Sequence, residues 1–346
     1  MHESAVTNTL LARGASTRLT VALLVLLAAG AIAGYLHEAI APVALALPLG
    51  LLVLNLLAAV ATKPVFRRQA PLLVAHLALA ALVLLAAFGR MTSLQGRIEL
   101  TQGIAFDGQV LDVDAGPLHR SRLAQAVFTN EGFTIDYAPG IKRGRTRNAV
   151  RWTDAQGRVQ RAVIGDHEPL VLAGYRFYTT PNKGYAPVFT WRTRDGDVQG
   201  AVHLPGYPVH RLRQARAWAL PDGTAAWVML KTEEEVIAPD APSAFALPRN
   251  RDIVLRIGDE RFELAPGGRI ALPGGTLVYE GLRTWMGYRV YYDPALPWLL
   301  AASVLATLAL ALHFALKFRR QPWRAALHAP AELRSAAATQ PLAVSR

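Results

Sequence analysis

The chain has 346 residues, 52% of them hydrophobic, a net charge of +12 and no cysteine. Without cysteine it forms no disulfide, offers no thiolate nucleophile, builds no zinc–cysteine site and takes no direct part in thiol exchange. The positive charge is not a nucleic-acid footprint: Met91 to Asp293 carries 25 Lys and Arg against 22 Asp and Glu, and the remaining residues carry 12 against 3. That excess flanks the apolar runs, where positive-inside bias places it, so it reads as membrane topology.

Residues 1–90 divide into an N-terminal tail and three transmembrane helices. Arg13 and Arg18 precede LTVALLVLLAAGAIAGYL, which ends at Leu36. More apolar segments follow at once, so this first span is expected to be an uncleaved helix rather than a signal peptide. The link from His37 to Ile40 carries no Lys or Arg, which places it outside. The second span, Ala41 to Thr62, contains Pro48 and Gly50, which membrane helices tolerate. Its one strongly polar residue, Asn55, is expected to hydrogen-bond a neighbouring helix rather than a ligand. Lys63, Arg67 and Arg68 mark a cytoplasmic loop, so the third span, beginning at Pro71, runs outward.

That third span, PLLVAHLALAALVLLAAF, is about the length that crosses a bilayer as one helix. Its only ionisable side chain is His76, about 7–8 Å along the helix from Pro71. An ionisable group in hydrocarbon is costly without a partner and marks a functional position.

Residues 91–293 read as a β domain outside the cytoplasm, a sandwich or partly open barrel. Candidate strands are Phe133–Tyr137, Arg151–Thr153, Val159–Ile164, Tyr175–Thr180, Pro187–Thr193, Gly200–Leu204, Ala225–Leu230, Ile253–Ile257, Arg261–Leu264 and Gly275–Leu282. Turn signals stand at Asp154–Gly157, Asp195–Asp197, Pro221–Gly223 and Pro266–Gly268. Val209–Leu220 is expected to be a short helix. The basic run Lys142–Arg147, after Pro139-Gly140, is expected to be a solvated loop, as is Glu233–Glu235. His119, His167, His203 and His210 show neither metal-ligand spacing nor a catalytic arrangement.

The rings of Trp285, Tyr288, Tyr291, Tyr292 and Trp298 are expected at the headgroup level, before a fourth span over residues 294–317. Residues 318–346 form a basic cytoplasmic tail. His313 lies four residues before Lys317, about 6 Å from the inner edge. It therefore reaches a depth similar to that of His76.

Three segments carry a resemblance to a known family. They are LGLLVLNLLAAVATKPVFRRQAPLLVAHLALAALVLLAAFGRMTSLQGRIELTQG (Leu49–Gly103), EPLVLAGYRFYTTPNKGYAPVFTWR (Glu168–Arg192), and GYRVYYDPALPWLLAAS followed by FRRQPW (Gly287–Trp323). With three helices, a β domain and a final helix, the chain resembles the ResB-like family of cytochrome c biogenesis proteins, as a compact member. It departs from the family in having Asp293-Pro294-Ala295 where Asp-Pro-Gly is usual. It also lacks the histidine that some members carry in the basic stretch after the last span.

The resemblance implies an accessory subunit of a cytochrome c synthase complex in the bacterial inner membrane. With a channel subunit bearing a tryptophan-rich external segment, it moves heme outward and presents it to apocytochrome c. Heme is then transported or transiently bound, and lipid surrounds the spans. Neutral imidazole is a common axial ligand of heme iron, and the family implicates a histidine in the third span. His76 is thus the expected metal ligand. His313 matches no family position; its similar depth alone makes it a second cofactor-binding candidate, ligating jointly with His76 unless a histidine of the partner does so. The competing reading is a membrane-tethered scaffold or assembly chaperone without cofactor. Reporter fusions after Asp166 and at Arg346 are expected to report opposite compartments. The same compartment at both sites would sink the four-span topology.

Overall fold

A computed structural model describes residues 13–37, 40–210 and 213–319. The chain divides into two units, one of residues 1–90 with 295–346 and one of residues 91–294. Four of the described helices are long and apolar enough to cross a membrane.

In the helical unit these are α1 (Thr17–Leu36), α2 (Ala41–Thr62), α4 (Ala70–Thr92) and α5 (Leu296–Arg319), with a single turn and a half, α3 (Pro64–Arg68), between α2 and α4. Leu and Ala dominate each of the long helices, and most of their Leu and Val side chains are exposed, as lipid-facing positions require. The helices α1 and α2 pack closely at Gly30, where an added Cβ would strike the Ala44 carbonyl. Small residues allow such backbone approach when apolar side chains gain nothing by leaving lipid. Pro64 starts α3 at a position where its missing N–H costs nothing.

The β unit holds strands β1 (Leu94–Thr101), β2 (Leu111–Ala115), β3 (Thr129–Ala138), β4 (Lys142–Thr153), β5 (Val159–Ile164), β6 (Leu170–Leu172), β7 (Tyr175–Thr193) and β8 (Gly196–Ala201). It continues with β9 (Ala215–Ala219), β10 (Ala225–Leu230), β11 (Ser243–Ala244), β12 (Ile253–Ile257), β13 (Glu260–Leu264), β14 (Arg269–Leu272) and β15 (Gly275–Tyr292). They form three antiparallel sheets and no closed barrel. The largest has the order β2-β1-β15-β7-β6, with β14 also on β15 and β8 also on β7. The others run β13-β12-β10-β9 and β11-β3-β4-β5.

The core is aromatic. Phe128 lies 5.0 Å from Phe177 and 5.6 Å from Tyr288 by ring centroids, and Phe106 closes the cluster against Phe177. Tyr185 stacks on Phe245, and Phe189 on Trp218. A buried polar network runs through this core. The Tyr288 hydroxyl donates to Asn148 Oδ1 at 2.7 Å, and Asn148 Nδ2 donates to Asn130 Oδ1 and to the Gly132 carbonyl. Asn130 Nδ2 donates in turn to the Leu100 carbonyl on β1. A satisfied network of this kind fixes how two sheets meet, because any other alignment strands its members. Burial pushes the Tyr288 hydroxyl far above the ordinary range of a phenol.

Several expectations need correction. The segments Tyr175–Thr180 and Pro187–Thr193 are one strand, β7. The turn-like Pro181-Asn182-Lys183-Gly184 between them is absorbed by a bulge opposite Gly287, where an added Cβ would meet Asn182 O at 3.0 Å. The basic run Lys142–Arg147 begins strand β4 rather than a loop. Arg143, Arg145 and Arg147 reach Asp166, Glu168 and Asp136 across the sheet, at 2.9, 3.2 and 2.9 Å, so its charge is largely cancelled.

The helix expected over Val209–Leu220 is instead strand β9 at Ala215–Ala219, held by its ladder to β10; Arg211 and Leu212 lie outside the described residues. Trp285 and Tyr288 are no membrane anchors, because β15 continues to Tyr292 and turns both inward: Trp285 is 2% exposed, and its Nε1 donates to the Leu204 carbonyl. Tyr292 packs against Tyr175 and His119, and Tyr291 against Tyr178. Trp298 alone of the five is largely exposed. Because β1 pairs with β15 from Leu94↔Tyr292 to Thr101↔Trp285, an excised β unit must run from Met91 to Pro294.

Lys183, at the bulge in β7, is 2% exposed. Its Nζ donates to the Pro181 carbonyl at 3.2 Å and lies over the rings of Tyr137 and Phe245. Desolvation, reinforced by the nearby Arg143 charge and opposed by Asp166, lowers its pKa to about 8. The unfolded chain therefore holds this proton more tightly than the folded one. Stability should rise with pH from about 8 toward 10.5, and the full cost of the buried charge is present below 8. That cost is roughly 3 kcal/mol before relaxation. In denaturant titrations of residues 91–294, Lys183→Met should be the more stable protein at pH 7 and should lack the rise between pH 8 and 10.

Candidate functional site

The helical unit has an open-sided cavity of about 540 Å³, within the range of small-molecule sites. Helix α2 supplies Leu49, Leu52, Val53, Asn55, Leu56 and Ala59, and α4 supplies His76, Leu79, Ala80 and Val83. Thr17 and Thr20 of α1, with Lys63, Val65 and Phe66 around α3, complete most of the wall.

Asn55 holds one side of it. It is 6% exposed, accepts from the Thr20 hydroxyl at 2.7 Å through Oδ1, and donates through Nδ2 to the carbonyls of Gly14 and Ser16. Those carbonyls precede α1, so one amide ties α2 to the start of α1, as the sequence led us to expect of Asn55. Its polar atoms are thereby spent on protein.

His76 is arranged differently. Its Nδ1 lies 2.8 Å from the Leu72 carbonyl one turn back in α4. A carbonyl oxygen only accepts, so Nδ1 carries the proton and Nε2 keeps its lone pair. Among the described residues no hydrogen bond engages Nε2. The Phe66 ring meets the imidazole edge-on, 4.9 Å between centroids, and restricts its rotation. A metal-ligating histidine usually has this tautomer, fixed by a bond from its other nitrogen to a carbonyl. The cavity thus has one oriented imidazole among mostly apolar side chains, a donor set that fits the central metal of a flat macrocycle.

His313 is not among the residues lining this cavity; on α5 its ring packs against Phe314. Among the described residues no group of three or more His, Asp or Glu is placed to hold a metal ion.

The β unit contains a polar chain invisible to sequence reading. His203 Nδ1 donates to Glu99 Oε2 at 3.0 Å, and the Thr101 hydroxyl donates to His203 Nε2 at 2.8 Å. The order hydroxyl–imidazole–carboxylate matches a hydrolase triad, but its orientation is reversed. Glu99 lines a cleft of about 390 Å³ beside Asn182, Arg216 and Trp285, while Thr101 is buried on β1. No nucleophile is presented, and the chain acts to fix the carboxylate. The hydrogen bond from His203 holds the Glu99 carboxyl below its ordinary range, against its desolvation. Glu99 and His203 are 104 residues apart, so no local pattern announced the pair. His119 is structural: its Nδ1 donates to the Thr92 carbonyl and its Nε2 meets the Tyr175 hydroxyl. His167 and His210 are exposed.

The ResB-like family matches residues 55–340, most of the chain and both units. The chain belongs to the ResB-like family. This is the family of cytochrome c biogenesis proteins that the three sequence segments resemble. Among curated proteins none matches. Among solved structures, the chain is similar to one titled cytochrome c heme lyase CcmF, with 16% identity and a TM-score of 0.23. That alignment covers 86% of this chain and 34% of the other, so the ResB-like chain spans about a third of that protein's length.

Asn55→Leu should loosen the α1–α2 contact by leaving the Gly14 and Ser16 carbonyls without their donor. The expected loss is about 1 kcal/mol, read as a lower thermal midpoint of the detergent-solubilised chain; an unchanged midpoint would remove Asn55 from the account of the bundle.

Proposed function

We propose that this chain is the ResB-like subunit of a membrane complex that carries heme outward and delivers it for attachment to apocytochrome c, with His76 an axial ligand along the way. The observation that carries the reading is the imidazole itself. Its Nδ1 proton is committed to the Leu72 carbonyl, and its Nε2 is left free in a bundle cavity of about 540 Å³. Heme here is cargo, whose iron takes a neutral imidazole readily. The walls provided by Leu52, Val53, Leu56, Leu79 and Val83 suit its apolar ring.

In this reading the β unit lies on the outer side of the bacterial cytoplasmic membrane. The basic residues after α2 and α5 lie on the inner side. A channel subunit shares the heme path, and it or His313 supplies the second axial position. In this reading the chain itself contributes binding and orientation rather than a catalytic group.

His76→Ala keeps a good helix former while removing the imidazole. Heme retained by the purified complex should fall on the order of tenfold, with a matching loss of mature c-type cytochrome. Added imidazole should restore part of both. If the variant assembles with its partner and keeps wild-type heme content and cytochrome yield, the ligand role is wrong and a cofactor-free scaffold becomes the better reading.

A further inference from the structure

The polar side chains lining the His76 cavity differ in what remains open to a ligand. Thr20 and Asn55 bond each other, and Asn55 also holds the carbonyls before α1. Lys63 lines the cavity and forms no ion pair among the described residues. No acidic residue lies near it in the chain: between Glu3 and Glu99 the sequence has only Glu38, at the opposite end of α2. The cavity wall contains no carboxylate either. An anion that meets Lys63 must therefore come from outside this stretch of chain.

The position of Lys63 also separates it from its basic neighbours. Arg67 and Arg68 share the same link, yet neither lines the cavity, and Arg67 turns its guanidinium to the Ala61 carbonyl. Along α2 the lining extends from Leu49 to Ala59, with Lys63 just beyond the last helical turn. Lys63, an exposed residue, thus stands at one end of a wall about 20 Å long, whose other end is aliphatic.

We propose that Lys63 is the anion contact of this cavity, and that the site selects an amphipathic carboxylate: an apolar ring system along α2 and α4, and a carboxylate against the Lys63 ammonium. This rests on reading the cavity as the heme site, and heme carries two carboxylates of this kind. Lys63 is a positioning residue here. It sets which way round the ring lies, so that one edge is held by charge while His76 addresses the metal.

The test uses the full chain in dodecyl maltoside, a detergent without phosphate, and two iron-free probes: protoporphyrin IX and its dimethyl ester. They share one ring and differ only in carboxylate charge, so their affinity ratio reports the anion contact apart from metal ligation. Wild type should favour the diacid on the order of tenfold. Lys63→Arg should keep most of that preference and Lys63→Met should abolish it. His76→Ala should leave the ratio intact while hemin loses its shifted Soret band.

If wild type and Lys63→Met give the same ratio, the proposal is overturned. That remains so if added phosphatidylglycerol binds wild type better than Lys63→Met, because Lys63 then serves a lipid phosphate. If His76→Ala instead leaves the hemin spectrum unchanged, metal ligation by His76 fails while the carboxylate contact stands on its own ratio.

Discussion

The β unit depends on one antiparallel ladder, β7 against β15, which runs from Thr276↔Arg192 to Tyr291↔Arg176 and bulges twice. Every other strand of the largest sheet attaches to this pair directly or through one neighbour. The ladder also supplies much of the hydrophobic core: Phe177, Tyr185 and Phe189 from one strand, Tyr279, Met286 and Tyr288 from the other. Strands this long twist strongly, and a bulge is how one of them bends around a core without losing its partner. The bulge at Gly287 places Lys183 in the interior, so the most costly charge of the unit is tied to the geometry that closes it.

In the helical unit the constraint is the scarcity of polar groups in hydrocarbon. Asn55 spends its hydrogen-bonding atoms on neighbouring protein atoms, whereas the His76 bond to its own helix leaves one nitrogen uncommitted. That difference is why the proposed site rests on His76 and not on Asn55. It needs no second side chain, because the carbonyl one turn back in α4 sets the tautomer. The chain therefore carries an oriented donor even though no acid lies nearby to orient it.

Much of this was legible in the sequence where the signal is local. The bounds of α2, β5, β10 and β12 agree with the reading residue for residue, because a long apolar run or a short alternating run between turn residues has few alternatives. That His76 is the lone ionisable group of its span was legible in the same way, and the structure adds its bond to the Leu72 carbonyl. What failed depends on distant partners. Tyr175–Thr180 and Pro187–Thr193 read as two strands until β15 lies beside both, and the arginines of β4 look solvated until their carboxylates arrive from β3 and the segment after β5. Trp285 and Tyr288 have the composition of a membrane girdle, and only their burial within the β unit, Trp285 against His203 and Leu204 and Tyr288 in the aromatic core, removes them from it. The cavity lining, which includes His76 and leaves out His313, follows from helix packing that no hydropathy profile encodes.

The pairing of β1 with β15 has a consequence for the order of synthesis. The first and last strands of the unit are neighbours, Leu94 opposite Tyr292, although almost the whole unit separates them in sequence. A ribosome delivers β1 early, with β2 as its local partner, and its other edge waits until β15 emerges. The closing step thus carries the largest loop-closure entropy of the fold and comes last. Until then β1 presents an unpaired edge, which leaves a nascent chain exposed to wrong strand partners. Synthesis of α5 follows directly, so the last span inserts as the sheet becomes able to close.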